Sequence, residues 1–88
     1  MHALVFDVAI KDRAHGEQYL KERIVPGVSQ LPGFVAGYWV NTEESRGMSL
    51  VVFESEDAAQ SAMEGGPRPP EDAVTINTVT LGEVVAHA

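Results

Sequence analysis

The run Met48-Ser49-Leu50-Val51-Val52-Phe53 is apolar at almost every position, and the stretches Leu4 to Ile10, Phe34 to Val40 and Val79 to Ala86 are similar. A strand with one wet face alternates apolar and polar side chains, whereas near-continuous apolar runs belong to sheets covered on both faces. A chain of 88 residues has room for only enough helix to cover one face. The other face needs a second molecule. The pattern therefore predicts a homodimer formed through sheet faces.

Size points the same way. Such a chain sits near the lower end of independent folding and is predicted to form a single domain over residues 1–88. Domains this small commonly rely on disulfides, a metal or a partner subunit, and the absence of cysteine excludes disulfides and thiolate metal sites. No basic leader precedes an apolar core at the N-terminus, and no apolar run approaches membrane-spanning length. The expectation is a cytoplasmic protein with no membrane partner. Thirteen acidic residues against six basic ones give a net charge of -7, and no Lys or Arg cluster is interleaved with aromatics. Such a surface repels phosphate backbones, so no nucleic-acid partner is expected, and the acidity reads as solubility.

Along the chain, His2 to Ile10 places Leu4, Phe6, Val8 and Ile10 on one face and Ala3, Val5, Asp7 and Ala9 on the other, a strand pattern. From Asp12 onward, Tyr19, Leu20, Ile24, Val28 and Leu31 recur at helical spacing. Pro26 interrupts that helix, removing a backbone hydrogen bond and colliding with the Glu22 carbonyl, so a kink or broken turn is predicted there. Pro32-Gly33 ends the helix and Phe34 to Val40 forms the second strand. The polar stretch Asn41 to Gly47 reads as a hairpin connection to the strand Met48 to Phe53. Ser55 is a predicted N-cap, with Glu56 and Asp57 placed to complement the dipole of a short helix ending at Met63 or Glu64. Gly65 to Pro70 is a loop, and Val74 to about Ala86 is a last strand with a bend expected at Gly82.

The order strand, helix, strand, strand, helix, strand predicts an α+β fold, a ferredoxin-like βαββαβ domain with a four-stranded antiparallel sheet. Right-handed crossovers put both helices on one face. The bare face, on which Leu4, Phe6 and Val8 are candidates, would bury about 600 Å² per subunit in a dimer. At about 25 cal/mol per Å² that is roughly 15 kcal/mol gross, before association entropy is subtracted.

The helix ending in Leu31-Pro32-Gly33-Phe34, the Gly37-Tyr38-Trp39 strand, and Leu50-Val51-Val52-Phe53-Glu54-Ser55-Glu56-Asp57-Ala58-Ala59 leading into a helix make the chain resemble the dimeric α/β-barrel superfamily. Within it, the chain is similar to the antibiotic biosynthesis monooxygenase-like (ABM-like) branch. The resemblance implies a dimeric α/β barrel. It also implies one of several activities: cofactor-free oxygenation of phenols, haem degradation, handling of small aldehydes or quinones, or no catalysis. The haem-degrading pattern has an asparagine on the first strand and a helical tryptophan and iron-ligating histidine. Here Asp7 stands at the strand position, and Glu56 to Met63 contains neither Trp nor His. No cofactor and no metal is therefore expected.

Asp7 is the candidate catalytic residue, because a carboxylate on an apolar strand face is costly unless paired, hydrogen-bonded or protonated. It either lines a pocket and takes a proton from a phenolic substrate, or pairs with a neighbour such as Lys11 or Arg13, or faces solvent near the strand end. Tyr38 and Trp39 are the candidate substrate-binding residues. Being adjacent on a strand they face opposite ways: either one enters the pocket and the other the interface, with Gly37 leaving room beside the indole, or both are core or interface aromatics with their polar tips hydrogen-bonded. His2 and His87 would approach if the first and last strands pair, but two imidazoles do not close a typical metal site. Two functions stay open: a cofactor-independent monooxygenase acting on a phenolic or quinol-type small molecule, and a noncatalytic dimeric module that binds a small apolar or aromatic molecule or assists another protein.

Overall fold

A computed structural model describes residues 1–88. Its elements are β1 (His2–Ile10), α1 (Arg13–Tyr19), a π-helical stretch (Leu20–Ile24), α2 (Val25–Ser29), β2 (Phe34–Glu43), β3 (Arg46–Phe53), α3 (Glu56–Gly65) and β4 (Val74–Glu83). The strands form one antiparallel sheet in the order β2-β3-β1-β4. This is the ferredoxin-like α+β arrangement expected from the order of elements. No helix is long and apolar enough to cross a membrane.

Local sequence explains the element ends. Asp12 caps α1 by accepting from the His15 amide at 3.1 Å, and Ser55 caps α3 by accepting from the Ala58 amide at 3.1 Å. Gly33, at φ 80, turns the chain out of α2, and a Cβ on it would lie 2.7 Å from the Cβ of Ala58. Only glycine fits that turn and that approach. The disturbance expected at Pro26 takes the form of the π-helical stretch just before it, where the Val25 amide reaches back to the Leu20 carbonyl. Widening this turn opens the hydrogen-bond ladder where the proline ring must fit.

The helical elements pack on the same sheet face. Leu4, Val51 and Phe53 from the sheet meet Ile24, Val28 and Ala59 from the helices in a buried cluster, with Phe6, Phe34, Trp39 and Leu81 against it. Phe34 and Phe53 make an edge-to-face pair with centroids 6.2 Å apart. Leu4, Phe6 and Val8 therefore belong to the covered face, which corrects their assignment to the bare one. Both faces of β1 are apolar enough that alternation alone does not say which meets the helices.

The open face carries a different set. Tyr38, Val40, Met48 and Leu50 are exposed, and cross-strand register places Tyr38, Leu50, Val5 and Thr80 in one row across all four strands. Two further expectations shift. The hairpin strands run through the polar stretch to a tight connection at Glu44 and Ser45. The irregularity in β4 falls near Asn77, opposite Asp7 and Val8, while Gly82 pairs regularly with Ala3.

Candidate functional site

Between the sheet and the α1–α2 segment lies an open cavity of about 130 Å³. Phe6, Val8, Ser49, Val51, Trp39 and Ile76 form its floor, Gly16, Leu20, Ile24 and Val28 its roof, and Pro67 and Pro69 one end. Small residues create it: Gly47 and Ser49 occupy helix-facing positions of β3 where larger side chains would fill the space, and both are buried. The π-helical stretch spans the roof, contributing Leu20 and Ile24. Wide helical turns of this kind recur at functional sites because they displace side chains from the regular spiral.

The loop from Gly65 to Pro70 is more than a connection. A Cβ on Gly27 would meet Pro67 at 3.2 Å, so the loop rests against α2 while Pro67 and Pro69 border the cavity. The chain beyond it is fastened by amides of Lys11 and Asp12 donating to the Ala73 carbonyl at 2.8 and 3.1 Å.

Trp39 is the aromatic that enters the cavity, and Tyr38 points the other way, 64 % exposed on the open face. Strand alternation required the split, and the register resolves its direction. The indole lies back over Gly37, where a Cβ would be 2.7 Å from Cη2 and 2.8 Å from Cζ3 of Trp39. Gly37→Ala is expected to push the indole into the cavity and weaken binding of an aromatic ligand about tenfold, a change of about 1.4 kcal/mol. Because Trp39 is the only tryptophan, its fluorescence reports both the displacement and the lost affinity directly.

Asp7 is not in the cavity. It sits at an odd position of β1, on the face turned from the helices, and Arg46 Nη2 donates to both carboxylate oxygens at 3.0 and 3.3 Å. Neither Lys11 nor Arg13 is its partner, because Arg46 reaches it from β3 on the same face. His2 pairs with Glu56 across 3.4 Å, and no three His, Cys, Asp or Glu side chains gather into a metal-holding group.

The carboxylate at the cavity is Glu17. Its Oε1 accepts from Asn41 Nδ2 at 3.1 Å and from Arg13 Nε at 3.3 Å, while Oε2 has no hydrogen-bond partner in the protein. The sequence placed Glu17 among scattered surface acids and Asn41 in a connection. The detectable signals were Gly16 beside Glu17 on the helix and the small residues Gly47 and Ser49 on β3, which together mark a gap rather than a packed layer.

No family model and no curated protein matches the chain. Solved structures do. HapK from Hahella chejuensis superposes with a TM-score of 0.71 at 11% identity, covering 100% of this chain and 96% of that one. The two share the ferredoxin-like α+β fold. The haem degrader MhuD from Mycobacterium tuberculosis, with two haems bound in its active site, matches with a TM-score of 0.56 at 23% identity, over 97% of this chain and 98% of that one. An MhuD mutant with two manganese protoporphyrin IX molecules per active site gives a TM-score of 0.56 at 24% identity, over 97% of both chains. At these identities the likeness is one of fold.

Proposed function

We propose that the protein is a cytoplasmic homodimer that binds a small phenolic or quinol-type molecule between sheet and helices and oxidises it with dioxygen, without a cofactor. The observation that carries this reading is the open apolar cavity, with Trp39 on its wall and the free Oε2 of Glu17 at its mouth. An apolar cavity of roughly 150 Å³ takes a benzene ring, so this one has the scale of a single aromatic ring, extended toward its opening.

The chemistry asks for a proton acceptor, a dry site and orientation. Glu17 takes the proton of a phenol or of its carbon-acid tautomer, and the resulting electron-rich carbon adds dioxygen. The carbon-bound peroxide then loses water, so that a ring CH2 and O2 become a carbonyl and H2O. Asn41 and Arg13 hold the Glu17 carboxylate in place through the oxygen that does not face the ligand.

The fold neighbour MhuD binds haem, but the residues here do not fit that group. No histidine, cysteine or tyrosine lines the cavity, and its volume of about 130 Å³ is far from that of a porphyrin site. The dimer is supported by the exposed apolar side chains of Tyr38, Val40, Met48 and Leu50 on the face without helices.

A noncatalytic binding module is the second reading, favoured by the Glu17 side chain being 46 % exposed, since the proposed chemistry asks for a site from which water is excluded. Oxygen uptake with a panel of quinols and phenols, compared with anaerobic incubation, separates the two. Catalysis predicts uptake that falls about 100-fold or more in Glu17→Gln, the low end of general-base effects, and that Asp7→Asn retains. Saturable ligand binding with no uptake from any compound would leave the binding module.

A further inference from the structure

Ser49 is the one polar residue in the buried interior that faces the cavity. It is 7 % exposed and lies on the floor, and the register sets it directly between Phe6 on β1 and Trp39 on β2. Its hydroxyl makes no hydrogen bond within the protein. A buried hydroxyl without a partner is destabilising, and alanine would fill the same position without that cost. The atom is nevertheless not sealed off, because the only fully enclosed side-chain polar atom lacking a partner is His2 Nδ1.

We infer that Ser49 is a specificity-determining residue whose hydroxyl donates to the oxygen of a hydroxyaromatic or quinone ring lying over it between Phe6 and Trp39. The inference rests on the reading of this cavity as an aromatic site and adds the contact by which it tells an oxygenated ring from a hydrocarbon of the same shape. A serine can serve both states of such a ligand: it donates to a phenolate or quinone oxygen and accepts from a phenol. Sites built to pair a ligand hydroxyl discriminate strongly against the analogue that lacks it, because the protein group is then left buried and unpaired.

The test titrates the intact protein with phenol and with toluene, near-isosteres differing in OH against CH3, and follows Trp39 fluorescence. The wild type is expected to bind phenol more tightly. Ser49→Ala should weaken phenol about tenfold while leaving toluene unchanged or tighter. Thermal melting of the ligand-free proteins supplies an independent readout. Removing an unpaired hydroxyl should leave the melting temperature unchanged or raise it, whereas a hydroxyl serving the fold would lower it. Equal phenol affinity in wild type and Ser49→Ala, or a lowered melting temperature with unchanged selectivity, overturns the inference and leaves the aromatic cavity standing. A wild type that binds neither compound overturns both.

Discussion

Leu50→Asp is expected to split the proposed dimer into folded single chains. Leu50 lies on β3, an inner strand, and its side chain stands on the helix-free face with Tyr38 on one side and Val5 on the other. In a two-fold interface the same residue enters twice. Each buried carboxylate without a cation nearby costs several kcal/mol, so even about 4 kcal/mol in total raises the dissociation constant roughly 1000-fold. The substituted side chain points away from the Leu4, Val51 and Phe53 cluster, so helix and sheet content should be retained. Mass by light scattering or sedimentation, with circular dichroism as the control for folding, checks the outcome. A wild type of single-chain mass at micromolar concentration, or a Leu50→Asp variant that stays dimeric, would remove this face as the interface.

The same face shows why the fold was more legible than the site. The element order and the Ser55 N-cap follow from local signals: apolar runs of strand length, helical spacing from Tyr19 to Leu31, and Ser55 ahead of two acids. Those signals act within a few residues, so the sequence carries them intact. Sidedness does not work that way. Where β1 reads Ala3, Leu4, Val5, Phe6, Asp7 and Val8, both faces are apolar, and the choice depends on which one the helices cover. Asp7 fell on the outer face together with Arg46, to which it pairs, and the cavity took its carboxylate from α1 instead.

The full length of the hairpin strands was obscured for a related reason. From Asn41 to Glu43 the ribbon projects beyond the core with both faces wet, so no hydrophobic alternation marks it as strand. Yet Asn41 there reaches Glu17 across the cavity mouth. Pro26 was the clearest misprint in the helical pattern, and its consequence is a π-helical roof over the cavity. A residue that disturbs the local rule thus helps to make the space that a regular helix would close.

Phe53→Ala is expected to cost the protein a large share of its stability. Phe53 has no exposed surface, sits where Leu4, Val51, Ile24, Val28 and Ala59 converge, and gives Phe34 its edge-to-face partner. Truncating a buried phenylalanine removes its transfer free energy and leaves a cavity, together about 3–5 kcal/mol. Small domains have about 5–15 kcal/mol in all. At about 4–8 °C per kcal/mol for a domain of this size, the melting temperature should fall by at least 12 °C or so. Phe53→Leu keeps most of the volume and should lose less than half as much. Because the proposed dimer would stabilise the folded chain by mass action, the melting temperature of Phe53→Ala should rise with protein concentration, and Leu50→Asp combined with it should abolish that dependence. Thermal melts at two widely separated concentrations decide the matter: equal losses for Phe53→Ala and Phe53→Leu would mean that packing at Phe53 does not organise the core as the contacts imply.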